Sequence, residues 1–380
     1  MESLKISFAI LSICGIWKPV GINSSSSKWA YDVWRLLFMP QPYLFACAQL
    51  ARIVLVDLSF QEITEILFIF ISILNICCKS VNYVVRRKDI INLTSMLSTD
   101  CLLPRDKEEI EIYRRCRQFI RYVTLSSVVL VEITALMFLC LPLFRSKRAS
   151  RELPFPIYVP WSENKFWSTY AGEFLAIMTV SSISASSNTL IFGLLLEARN
   201  QFDLLAYRFG AMSRHGIMLD CDGVGGFEER TLLVQNIRHH GDIFKFIDAI
   251  KNTFSIAISG QFVTSSLVIS MSVYQLTMNN SFNLGFLTNL LYLMCMLVEF
   301  FLYCWFSNEL TLKSESFGKS IFKTNWVALD VKNKDIIVVM LRSSKPVVIT
   351  SGFFIVLSLE TFMKVLKLSY SAFSVLRRGK

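Results

Sequence analysis

Seven apolar stretches divide this chain, and the lysines and arginines between them crowd onto one side. A helix needs about 20 mostly apolar residues to cross a bilayer core. The stretches are 36–56, 63–85, 119–144, 171–196, 254–276, 282–306 and 347–376, taken as spans one to seven. Pro40, Pro42 and Arg52 make span one the weakest of them. Only 18% of residues are charged, against the roughly 25% usual in soluble domains. The segments 1–35, 86–121, 197–252 and 308–346 carry 27 lysines and arginines. The alternate segments 57–62, 145–170, 277–281 and the tail after Leu376 carry eight. Positively charged loops stay cytosolic. The expected fold is an all-α membrane protein of seven transmembrane helices, N-terminus cytosolic and C-terminus extracellular. That is the reverse of a G-protein-coupled receptor.

The same asymmetry explains the net charge of +10, which faces the anionic inner leaflet. No basic–aromatic patch supports nucleic-acid binding. Lys5 followed by the apolar run 6–17 resembles a signal peptide but lacks a small-residue cleavage site. It reads as a retained cytosolic or re-entrant segment. The expected organisation is a cytosolic N-terminal segment 1–35, spans one to four over 36–196, and a cytosolic helical extension 197–253. Spans five and six follow over 254–306, then cytosolic anchor helices over 307–346. Span seven and a short extracellular tail occupy 347–380. Apolar spacing at helical intervals continues past spans four and six into the cytosol, which argues for a helical cytosolic module. No internal repeat points to an inverted-repeat transporter.

Enzyme chemistry finds no footing. Ten cysteines form no zinc-like pairs, and none lies in the outer loop 145–170. His239-His240 reads as a solvated helix face, and Gly223-Val224-Gly225-Gly226 as a turn without the lysine of a phosphate loop. Neither a metal nor a cofactor is expected.

The C-terminal third is more specific. It carries Tyr303-Cys304-Trp305-Phe306-Ser307-Asn308-Glu309-Leu310, Ser314-Glu315-Ser316 and Trp326. Then come Leu341-Arg342-Ser343-Ser344-Lys345-Pro346, Gly352, Leu357-Ser358-Leu359-Glu360-Thr361-Phe362 and Lys367-Leu368-Ser369-Tyr370-Ser371-Ala372-Phe373-Ser374. This pattern resembles the C-terminal signature of insect odorant receptors. Ser307 stands where that family often has Gly, and Phe322 where Tyr is common. The chain lacks the long cytosolic insertion of the family's co-receptor, so it is similar to an odour-tuning subunit. The resemblance implies a ligand-gated, non-selective cation channel: a heterotetramer with the odorant receptor co-receptor in the plasma membrane of a sensory neuron dendrite. It implies a pore lined by span seven, gated near its outer end, and a volatile ligand held between spans two to six. A gustatory receptor shares this architecture, but its usual Gln-Phe end to span seven is absent here.

A volatile ligand suits a dry, aromatic-walled pocket with one or two polar groups. In the outer half of the bundle the candidates are Phe70, Leu74, Met137, Phe138, Leu141, Phe174, Met178, Ser182, Met271, Tyr274 and Tyr292. Phe373 and Leu376, three apart on one helix face, are the candidate gate, since apolar rings block ions by dewetting. Glu360 and Lys364 either pair with each other or line the ion path, and Glu132 and Glu299 are candidate structural partners for Arg52, Lys79 or backbone.

Asn279-Asn280-Ser281 is a glycosylation sequon in the short outer loop, whereas the sequons at Asn23 and Asn92 face the cytosol. Glycosidase treatment should shift the protein's mobility, and Asn279→Gln alone should abolish that shift. Glycans at Asn23 or Asn92 would reverse the orientation.

Overall fold

The computed structural model describes residues 4–19, 24–145, 153–160, 166–219, 226–278, 284–323, 336–351 and 355–378. The described elements are α1 (Lys5–Ile13), α2 (Ser25–Phe38), α3 (Gln41–Leu55), α4 (Phe60–Val85), α5 (Arg87–Met96), α6 (Lys107–Arg145) and α7 (Phe166–Leu219). They continue with α8 (Gly226–Met278), α9 (Leu284–Lys323), α10 (Ile336–Ser343), the two-residue strands β1 (Thr350–Ser351) and β2 (Ile355–Val356), and α11 (Leu359–Arg378). Five of these helices, α4 and α6 to α9, are long and apolar enough on their own to cross a membrane.

α7 is the mast of the bundle. Its 54 residues reach about 80 Å at 1.5 Å per residue, more than twice the hydrocarbon thickness. Its apolar window is 72% buried, against 33–50% for the other four long helices. Those four therefore leave more of their apolar surface uncovered than α7 does.

Two ends of the chain differ from the sequence expectation. Span one, expected over 36–56, is the helix pair α2–α3, which begins at Ser25. It bends at Met39-Pro40, where both residues keep helical angles. Proline 40 has no N–H to give, so the helix kinks there rather than ends. α1 runs antiparallel to α7, with Ser7 bonded to Thr189 at 2.9 Å and Leu4 against Gly193. Gly15, at φ 75°, turns the chain back. Tyr31 donates to the Trp17 carbonyl at 2.8 Å, with the Ser12 carbonyl 3.2 Å away, and Trp34 donates to the Ile13 carbonyl. These donors satisfy the turn's backbone, as a low-dielectric setting demands. Residues 4–19 thus fold back along α7 before α2 begins at Ser25.

Span seven, expected as one helix over 347–376, starts as extended chain. β1 and β2 pair antiparallel, Thr350 opposite Val356, and helix begins only at Leu359. The run Val347, Val348, Ile349, Thr350 is β-branched throughout, which favours strand. Ser358 then caps α11 by accepting the Thr361 N–H at 3.2 Å. The 20 residues of α11 still reach about 30 Å.

Below the bilayer, α6 to α10 converge. Arg208 grips Glu109 through two 2.8 Å bonds, donates to the Cys101 and Leu103 carbonyls, and meets His239 Nδ1 at 3.0 Å. His239 Nε2 lies 2.9 Å from Gln201 Oε1. With Arg208 donating to Nδ1, the proton sits on Nε2. His240 packs between Phe244 and Phe317 and reaches Ser343 of α10. Both histidines are buried rather than solvated.

Burial first, then the Arg208 and Arg105 charges, hold His239 down to about 3; burial and Arg342 hold His240 down to about 4. The unfolded chain takes up these protons from about pH 6.5. The stability these neutral rings confer is complete above pH 6.5 and drains away as pH falls toward 4 and 3. The melting temperature of the detergent-solubilised protein should drop from pH 7 to pH 5, less so in His240→Gln. A flat profile would contradict this account.

Candidate functional site

A cavity of about 110 Å³ lies inside the bundle, lined by α4, α6, α7, α9 and one residue of the 153–160 segment. α4 contributes Ile69, Ser72, Ile73 and Ile76, which recur at helical spacing on one face. α6 contributes Val131, Thr134, Ala135 and Phe138; α7 contributes Ile177, Val180, Ser181 and Ser184. α9 supplies Tyr292, Cys295, Met296 and Glu299. These positions lie roughly 10–25 Å below the outer helix ends at 1.5 Å per residue.

Phe155 closes the top. Its ring stacks on Phe138 at 5.8 Å and meets Phe45 edge-on at 6.0 Å. Two hydrogen bonds strap its segment to α3: the Tyr158 backbone N–H donates to the Ala48 carbonyl at 3.0 Å, and the Arg52 guanidinium donates to the Ile157 carbonyl at 3.3 Å. Phe138 also meets Tyr292 edge-on at 5.7 Å, so aromatic rings form the upper wall.

Beneath the cavity lies a buried polar network. Lys79 donates to Asn188 Oδ1 at 2.6 Å and to Gln261 Oε1. Tyr303 donates to the same Asn188 oxygen at 2.8 Å, and Asn75 to the same Gln261 oxygen at 2.9 Å. Glu299, at the cavity floor, faces the Lys79 charge. Glu132 has different partners, receiving the Ser181 and Ser182 hydroxyls at 2.9 and 2.7 Å.

Of the residues expected from sequence, Phe138 and Tyr292 line the cavity. Phe70, Phe174 and Met178 pack against the core beside it, and Ser182 is held by Glu132. Leu74 and Met137 are 48% and 45% exposed, on faces turned away from the bundle. Met271 and Tyr274 lie on α8, which contributes no lining residue. The side chains of Leu141, Phe373 and Leu376 lie outside the described residues, as does Asn279. Glu360 and Lys364 pair at 2.7 Å on an exposed face of α11. Sequence reasoning missed Phe155, although a phenylalanine between Pro154 and Pro156 in an outer loop is a fixed apolar plug waiting for a hole. It also missed the Ile69–Ile76 face, which half-buried Ser72 and buried Asn75 and Lys79 mark.

The segment carrying Phe155 should control access to Cys295 in the cavity wall. Phe155→Ala should cost about 3–5 kcal/mol of stability and speed modification of Cys295 by a small thiol reagent, read by peptide mass spectrometry. Unchanged Cys295 labelling would mean that Phe155 does not close the cavity.

The family model described as 7tm Odorant receptor matches residues 59–370. Among curated relatives, Putative odorant receptor 85d of Drosophila melanogaster is 27% identical over 235 residues, 61% of this chain and 55% of that protein. The chain thus spans little more than half the length of that relative. Odorant receptor 94a of Drosophila melanogaster is 24% identical over 99% of this chain and 97% of its own length. Among solved structures, the insect olfactory receptor OR5 from Machilis hrabei in complex with eugenol superposes with a TM-score of 0.86. It covers 99% of this chain and 98% of its own at 16% identity, a likeness of fold.

Proposed function

The chain belongs to the 7tm odorant receptor family, and we propose that it is an odour-tuning subunit of a ligand-gated, non-selective cation channel. It is a receptor-type membrane protein, not an enzyme. The observation that carries the reading is the mostly apolar cavity between four membrane helices, with Phe155 in its lining. Such a site suits a small volatile molecule, and the related receptor OR5 was solved with eugenol.

The channel reading places α11 at the pore. In the single chain, α11 turns Glu360, Met363, Lys364, Leu368 and Tyr370 outward. Charged and apolar side chains exposed together on a membrane helix suit a water-filled path between subunits. Phe373 and Leu376 remain the proposed gate near its outer end. The partner subunits are the odorant receptor co-receptor, and the site of action is the dendritic plasma membrane of a sensory neuron.

α9 is the proposed link from ligand to pore. Tyr292, Met296 and Glu299 face the cavity, while Phe300 and Phe301 touch Phe362 of α11 at 5.6 and 5.5 Å. α8 adds a second tie, Ser270 to Ser369 at 3.1 Å. A ligand opens the pore only in so far as it binds the open packing more tightly than the closed one.

Whole-cell recording across a volatile panel, with and without an odorant receptor co-receptor, tests this. Odorant-evoked cation current is expected only on co-expression. Silence in both conditions, with surface expression confirmed, would overturn the odour-tuning assignment.

A further inference from the structure

The polar atoms around the cavity divide unevenly between donors and acceptors. The Ser72 hydroxyl gives its proton to the Phe68 carbonyl at 3.2 Å. A hydroxyl has one proton, so the 2.8 Å bond between Ser72 and Tyr292 is donated by the Tyr292 phenol. The Tyr292 proton is thereby spent inside the chain, and its oxygen keeps acceptor capacity at the cavity wall. Thr134 donates to the Leu130 carbonyl at 2.8 Å. Ser181 donates to Glu132 at 2.9 Å or to the Met178 carbonyl at 3.0 Å. At the floor, the Lys79 ammonium donates to two amide oxygens, and Glu299 supplies the countercharge it faces. An ionised carboxylate only accepts. Ser184 adds one further hydroxyl. Acceptors therefore outnumber uncommitted donors around the cavity.

Size narrows the occupant further. The volume of about 110 Å³ is below the ~150 Å³ of an engineered dry cavity that takes up benzene. It limits the occupant to about one six-membered ring with a small substituent, and such a ring enters only as the walls move apart. Phe138, Phe155 and Tyr292 offer ring faces and edges to such a molecule.

We propose that the cavity selects one-ring compounds carrying a hydroxyl over carbonyl compounds of the same shape. Tyr292 and Glu299 are the acceptors that set this specificity. This inference rests on the reading of the cavity as the ligand site. A hydroxyl brings a proton to a lining whose acceptors outnumber its free protons. A ketone or aldehyde brings only lone pairs, and the Ser184 hydroxyl and the weak Cys295 thiol are the donors left to meet its oxygen. Sites built to bond a polar group reject the analogue that lacks it more strongly than apolar pockets reject a change of size.

The test compares cyclohexanol with cyclohexanone, and benzyl alcohol with benzaldehyde, on the chain co-expressed with the co-receptor. Each compound is scored as agonist or as blocker of another compound's current. The alcohol should act at a concentration lower by a factor on the order of ten, the scale of one hydrogen bond. Tyr292→Phe should keep responding while that preference shrinks to about threefold or less. Equal potency within each pair, an undiminished preference in Tyr292→Phe, or no effect of any of the four compounds overturns the proposal. Ala135→Trp, which fills the cavity, separates this proposal from the reading beneath it. Loss of all four effects on surface-expressed channels keeps the cavity as the site, so that a missing alcohol preference then counts against the selectivity alone. Unchanged effects remove the cavity reading and the proposal with it.

Discussion

A lysine ammonium inside a membrane bundle persists only where the neighbouring helices are shaped to receive it. Lys79 is fully buried on α4 and draws in Asn188 of α7, Gln261 of α8 and Glu299 of α9. One charge thus fixes four helices. Every donor of that kind must find an acceptor, because no water substitutes for it at this depth. Tyr303 and Asn75 close on the same two amide oxygens. The packing conforms to the network: a Cβ on Gly260 would stand 2.9 Å from Asn75 Oδ1. Removing Lys79 would take from Asn188 and Gln261 the donor they share, a loss of about 1–3 kcal/mol. The cavity lies directly above this weld, so its floor is among the most firmly determined surfaces in the bundle.

The cytosolic end repeats the logic with different chemistry. Arg208, on the α7 mast, satisfies Glu109, two loop carbonyls and His239 at once. α9 is tied to the same mast by Lys313–Asp203 at 2.8 Å and Arg199–Glu309 at 3.5 Å, both more exposed and correspondingly weaker. α10 docks so closely that a Cβ on Gly318 would lie 2.9 Å from the Ser343 carbonyl oxygen. The two hubs, one in lipid and one below it, share α7 and leave the outer helix ends as the least constrained part of the bundle.

The spans and their orientation were legible because a bilayer fixes both helix length and the side on which lysine and arginine collect. The C-terminal motifs were legible because they are local. Helix faces were not. In water, apolar residues point inward, but in lipid they serve both faces, so Phe70 and Leu74 looked as good as Ile69 and Ile73. The informative residues on α4 were the polar ones, since Ser72, Asn75, Lys79 and Asn82 cannot face lipid and together mark the inward stripe. The kink at Pro40 hid the true start of span one. The strand-like start of span seven hid among apolar residues because a hydropathy window does not distinguish Val347–Ile349 as helix from the same residues as extended chain. β-branching and the Ser358 cap carried that information and outweighed hydropathy.

On the proposed reading, the arrangement of α9 constrains how a ligand could act. Tyr303, bonded to Asn188, and the Lys79 network hold α9 at and below the cavity floor. Above that level its cavity face meets Ser72 through Tyr292, and Phe138 and Phe68 through aromatic contact. A helix pinned by a charge network at one level tilts about that level more readily than it slides. Glu299 and Phe300 are adjacent, about 100° apart around the helix, so a tilt that widens the cavity at Tyr292 also turns Phe300 and Phe301 against Phe362. The pivot lies at the level where cavity and α11 are both in contact with α9. A small occupant is therefore sufficient, because the lever begins at the residue beside the one it touches.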